Sequence, residues 1–140
     1  MADALYVDTV DMRTLGLVTE SVRGHRDAPR KNWPTRSVPG AIAKAAVAMS
    51  TQPEWEPRTV DVFGVVVGTD HADMLANRGL LEAAIHTPAT VDVSFVDDLT
   101  IKLVCRCIRF EVEDIQPGFI NRGASIRIQL IAFDPQWVAV

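Results

Sequence analysis

Cysteine is scarce in this sequence. Its only two, Cys105 and Cys107, stand two positions apart, and a disulfide framework needs more of them and an oxidising compartment. No apolar run approaches the roughly 20 residues of a membrane-crossing helix; the run at 62–68 is strand-sized. Residues 1–5 carry neither a basic stretch nor a long apolar segment, so no secretory leader is expected. These absences point to a chain that folds and acts in reducing cytosol, or that leaves the cell only by lysis. Charge of one sign is also modest. The 14 basic residues stand against 18 acidic ones for a net −4, too little to drive general adhesion to nucleic acid or membrane.

Signatures of chemistry are missing too. Nothing matches a nucleophile elbow, a phosphate-binding P-loop or a dinucleotide fingerprint. His25, His71 and His86 lie far apart, and none pairs with another at metal-ligand spacing. Cys105-x-Cys107 has the wrong spacing for a zinc half-site, and two small buried groups on a strand account for it. Asp97-Asp98 reads as a solvated hairpin turn and not as an acid–base pair. No catalytic, metal or cofactor-binding residue is assigned, no cofactor is expected, and the chain is not expected to be an enzyme.

What is present is a folded, mainly β chain. Apolar residues make up 48% and charged residues 23% of 140, enough for one domain with its own core. One helix is expected: Asp70 caps it, Asp73 sits favourably near its positive end, and Met74, Leu81 and Ile85 recur at helical spacing. Leu75, Leu80 and Ala84 would widen that apolar face, Gly79 lies inside at a cost in helix stability, and Thr87-Pro88 ends it.

Strands surround the helix. Residues 15–22 give the first, 41–49 a strand or extended piece, and 59–67 a strand with a change of parity near Gly64. In 90–96 Val91, Val93 and Phe95 share a face. The strand after Asp97-Asp98 carries Leu99, Ile101, Leu103, Cys105 and Cys107 on one face. Its pattern then passes to Ile108, Phe110 and Val112. A parity change in a period-two pattern means a bulge, a bend or a strand that leaves one sheet for another. Residues 113–123 form a loop around Pro117-Gly118, and Ala124, Ile126, Ile128, Leu130 and Ala132 mark a last half-buried strand ended by Asp134-Pro135. The expected architecture is a two-sheet β-sandwich or barrel with one flanking α-helix.

The long segment between the first two strands stands out. Residues 23–36 hold Arg23, Arg26, Arg30, Lys31 and Arg36 against Asp27, which gives +4 in a chain of −4, so the remainder carries −8. A polar loop of this length is a functional arm, a solvated loop or a phosphate contact, and Trp33 within it argues for docking. The preferred reading is an inter-subunit arm formed by Arg23, Arg26, Arg30, Lys31, Trp33 and Arg36, meeting the acidic remainder of a neighbouring copy.

In series these elements resemble the ring-forming domain of the distal tail proteins of long-tailed (siphovirus-type) bacteriophages, and more broadly the tail-tube fold. The residues that carry the resemblance begin at Asp11-Met-Arg-Thr-Leu-Gly-Leu17, where a Leu-Gly pair leads into a strand. A long loop closes at Val38-Pro39-Gly40, and an arginine-led strand follows, Arg58-Thr-Val-Asp-Val-Phe-Gly64. The helix after Asp70, the paired strands after Pro88 and the end at Phe133-Asp-Pro-Gln-Trp137 complete the series. After Pro-Gly the family commonly has a charged residue and another glycine, where this chain has Ala41-Ile42-Ala43.

The resemblance implies one ring domain over 1–140, with the arm at about 23–40 and without the C-terminal receptor or carbohydrate domain many relatives carry. It implies a structural virion protein of the tail, assembled in the bacterial cytoplasm. Its partners would be its own copies in a hexameric ring or stacked rings, the tail tube protein and the baseplate or tip proteins. DNA would only pass through the lumen, and no membrane would be involved. Another tail-tube-fold protein, the major tube subunit or the tail terminator, is the near alternative. A small-molecule-binding β-barrel or unrecognised enzyme, and a nucleic-acid-binding module acting through the arm, are the remaining ones.

Overall fold

Alternation of apolar and polar side chains, seen in the sequence as period two, becomes a set of antiparallel strands in the computed structural model, which describes residues 4–32, 54–115 and 122–140. In chain order these are β1 (Leu5–Val7), β2 (Val10–Asp11), a short 3-10 turn (Met12–Leu15), β3 (Leu17–Arg23), β4 (Lys31–Asn32), β5 (Glu54–Trp55) and β6 (Arg58–Val67). The helix α1 (His71–Ile85) follows, then β7 (Val91–Phe95), β8 (Asp98–Ile115), β9 (Gly123–Ala132) and β10 (Val138–Ala139). The main sheet runs β2-β1-β7-β8-β9-β6-β3, with β10 also paired to β8; β4 and β5 form a separate ribbon.

β8 joins the two layers. Its first half pairs with β7, from Phe95↔Asp98 to Val91↔Cys105, and its second half pairs with β9, from Arg106↔Ile131 to Ile115↔Ala124. The register slips between Cys107 and Arg109, so Ile108 is an extra residue, more than half exposed. The parity change expected there is thus a bulge at which one strand passes from one layer to the next. The layers share one core: Leu5, Val7, Val93, Phe95 and Leu103 from the first layer meet Val60, Val62, Ile126, Ile128 and Leu130 from the second.

The parity change expected near Gly64 is not in β6. Its register with β9 is unbroken from Arg58↔Ala132 to Val67↔Gly123, and Arg58, Val60, Val62, Gly64 and Val66 are all buried. Val65, buried on the opposite side, imitated a flip. The irregularity lies in the partner β3, between Thr19 and Ser21. Gly64 is required because a Cβ there would approach the Val18 carbonyl oxygen to 2.4 Å.

Two further boundaries shift. The hairpin turn falls on Val96-Asp97, and Asp98 already opens β8, accepting a hydrogen bond from the Thr100 amide at 2.9 Å. The strand expected first, β3, is preceded by β1 and β2, which are too short to show a period. The piece expected at 41–49 lies outside the described residues.

Helix α1 begins as expected. Asp70 accepts a hydrogen bond from the Asp73 amide at 2.8 Å, and the Asp73 carboxylate accepts one from the Thr69 amide at 2.8 Å. Met74, Leu81 and Ile85 are buried in the shared core and Ala84 is half-buried, whereas Leu75 and Leu80 are exposed. Gly79 is not explained by packing, since a Cβ there meets nothing within 4 Å. Gly79→Ala is therefore expected to stabilise the fold by about 1 kcal/mol through helix propensity alone, read as a higher urea midpoint at unchanged slope.

Candidate functional site: the base of the basic arm

The arm leaves β3 through Gly24, whose φ is +85°, in the left-handed region. A Cβ at this position would lie 2.2 Å from the Thr59 carbonyl oxygen. Glycine is needed both for the left-handed turn and for the close approach to β6.

Immediately beyond the turn, Arg58 at the start of β6 holds the arm by its main chain. Its Nη1 donates to the carbonyl oxygens of Gly24 at 2.9 Å, His25 at 3.3 Å and Asp27 at 2.6 Å, and its Nε donates to Pro135 O at 3.0 Å. Arg58 is only 7% exposed, and it occupies the inward parity of Val60 and Val62. Trp137 Nε1 donates to the His25 carbonyl at 3.1 Å. The His25 ring lies 4.6 Å from that of Phe95, which Trp137 meets edge-on at 6.2 Å. Three distant parts of the chain, β6, β7 and the segment after β9, thus converge on residues 24–27.

The residues expected to form an inter-subunit arm are placed as follows. The Arg23 guanidinium stands 5.5 Å from the Phe63 ring centre, with Arg127 at the same distance from that ring. Arg26 pairs with Asp97 in the β7–β8 turn. Both partners are exposed, so the pair contributes at most about 1 kcal/mol. Arg30 is exposed at the wall of a cavity of about 200 Å³, together with Asp27, Ala28, Glu56 and Arg58. Lys31 lies in β4, opposite Trp55 of β5. Trp33 and Arg36 lie outside the described residues. The base of the arm, from Gly24 to Asp27, rests on its own domain.

Sequence reasoning noticed Arg58 only as the head of a strand. The signal for more was its parity: an arginine in step with Val60 and Val62 must bury its charge, and a buried guanidinium needs several acceptors. Trp137 gave no comparable sign, since its partner His25 is 112 residues away.

The cysteines are consistent with small core groups. Cys105 is buried and Cys107 half-buried. Burial pushes the Cys105 thiol up to about 12, opposed by the positive charge of Arg58 and aided by Asp92. Burial also raises Cys107, against a hydrogen bond with the Arg109 carbonyl. Both stay protonated at neutral pH. Alkylation of the native protein is expected to be slow at Cys105 until unfolding exposes it, as mass spectrometry of iodoacetamide-treated samples would show. Among the described residues no three His, Cys, Asp or Glu side chains come together in a metal-holding group, and no helix is long and apolar enough to cross a membrane.

Neither a protein-family model nor a curated protein matches the sequence. Among solved structures, the chain is similar to the crystal structure of the Dit protein (gp 19.1) of SPP1, described as a paradigm of the hub adsorption apparatus in phages that infect Gram-positive bacteria. The TM-score is 0.76 at 17% identity, over 99% of this chain and 52% of that one, so this chain spans about half the length of that protein. The resemblance to distal tail proteins read from the order of sequence elements thus holds at the level of the fold: a mainly β domain with one flanking helix.

Proposed function

We propose that this chain is a structural, non-enzymatic subunit of a phage tail, forming a ring at the distal end that connects the tail tube to the baseplate or tip. The observation that carries the reading is the likeness of fold over nearly the whole chain to a tail hub protein. Residues 1–140 act as one ring domain, and six copies follow from the family resemblance. DNA crosses the lumen in transit and is not retained. A chain of net −4 offers phosphates little general attraction, which suits passage without retention.

The sheet supports assembly. Among the described residues β3 and β2 each have one strand neighbour, and they close the two ends of the strand order. Free edges invite pairing, and a head-to-tail contact that closes on itself satisfies every copy alike. The outer part of the arm, beyond the anchored residues 24–27, is the segment proposed to reach the next subunit.

Electron microscopy of the purified protein, with mass determination in solution, tests this. Closed rings of about six copies by the family's pattern are the expected result. Long stacked tubes would instead assign the chain to the tube subunit. A monomer at every concentration, with a small molecule retained through purification, would overturn the assembly reading.

A further inference from the structure

Arg58 carries a buried positive charge that is met by carbonyl dipoles and by no carboxylate among the described residues. All four of its acceptors are main-chain carbonyls, of Gly24, His25, Asp27 and Pro135. No carboxylate of the described residues forms an ion pair with it, and neither hydrogen of its Nη2 has an acceptor among them. A guanidinium this deeply buried is costly unless an anion or a full set of acceptors meets it. The same side chain forms part of the wall of the 200 Å³ cavity, whose other charged members, Asp27, Arg30 and Glu56, are exposed. Its buried charge is positive and its exposed charges are mixed.

We propose that this cavity receives a carboxylate, supplied by an aspartate or glutamate side chain of a neighbouring copy, which bonds to the Nη2 edge of Arg58. The carboxylate class follows from the charges. One buried cation matches one negative charge; a phosphate dianion doubles its attraction to Arg58 and Arg30 and its repulsion from Asp27 and Glu56 alike, but raises the Born cost of leaving water roughly fourfold. A neighbouring copy is the favoured source because the chain outside the arm carries −8 against the arm's +4. The source rests on the ring reading above; the site itself does not.

The experiment has two arms. In the first, the thermal midpoint of the dilute protein is followed as sodium acetate replaces sodium chloride at constant ionic strength and neutral pH. A saturable rise is expected with acetate, and a weaker one with inorganic phosphate. Asp27→Asn and Glu56→Gln leave the four carbonyl bonds of Arg58 in place and should each tighten acetate binding roughly 2- to 10-fold by removing a nearby negative charge. Arg58→Lys should abolish the saturable rise. No saturable effect, no tightening in the two rim variants, or a preference for phosphate overturns the site.

In the second arm, sedimentation of assembled protein in excess acetate should shift mass toward the monomer, beyond the effect of chloride at equal ionic strength. Saturable stabilisation with the assembly unmoved overturns the neighbouring copy as the source and leaves a free small carboxylate as the ligand. If the chain forms no assembly at all, the ring reading fails, and the first arm still decides the site.

Discussion

Arg58→Met is expected to destabilise the fold by about 3 kcal/mol, even though it removes a charge that is expensive to bury. The two effects have opposite signs, and their sizes decide the outcome. Taking away a buried guanidinium recovers its desolvation cost, and a methionine fills much of the same volume. Three carbonyl oxygens, those of Gly24, Asp27 and Pro135, lose the Arg58 donor outright, however, and the His25 carbonyl keeps only Trp137 Nε1. Hydrogen bonds to a charged group contribute about 1.5–3 kcal/mol each, and an orphaned buried acceptor costs about 1–3 kcal/mol. Water can replace some of them at the arm, so the full sum is not reached. Urea unfolding measures the total. The loss should also be local, because three of the four carbonyls belong to the arm base. Trypsin should therefore cut after Arg26 and Arg30 in the variant well before it attacks the strands, at a urea concentration where wild type is resistant. Uniform protection of those sites in a folded Arg58→Met protein would show that the arm is held by other contacts.

How far the fold was legible depends on the range of the interaction that fixes each element. The start of α1 is local: Asp70 bonds three residues ahead, and the cap was readable. The bulge at Ile108 was readable as a lost parity, since the strand keeps its alternation on either side. The short β1 was not, because three residues carry no period and its place is set by β7, through partners such as the Asp92 amide and Asp8 carboxylate, 84 residues apart. At Gly64 two valines on opposite faces produced a false flip. The anchored base of the arm was half legible. Its charge and glycine were visible, whereas its fixation by Arg58 and Trp137 depends on contacts across the whole chain. A run of basic residues suggests reach toward a partner; four carbonyl bonds from one inward arginine decide that residues 24–27 stay at home.

The clearest test of burial over composition is the pair Leu80 and Leu81. The two are adjacent, chemically identical and equally suited to a helix, yet Leu81 is 0% exposed and Leu80 is 52% exposed. Helical geometry turns successive side chains by about 100°, so only one of the two can point along the line of Met74 and Ile85. Leu81 joins the core shared by both sheet layers. Leu81→Ala removes that contact and leaves a cavity which the strands on either side can only partly close. The expected cost is about 3 kcal/mol, within the range of about 2–5 kcal/mol for buried Leu→Ala changes. Leu80→Ala should lie within about 0.5 kcal/mol of wild type, because alanine is the better helix former and little apolar surface returns to water. The comparison cancels differences in propensity and unfolded-state effects, since both variants make the same change one position apart. Equal losses at the two positions would mean that α1 does not seat on the sheet in the rotation described, and that Leu80 faces the core in solution.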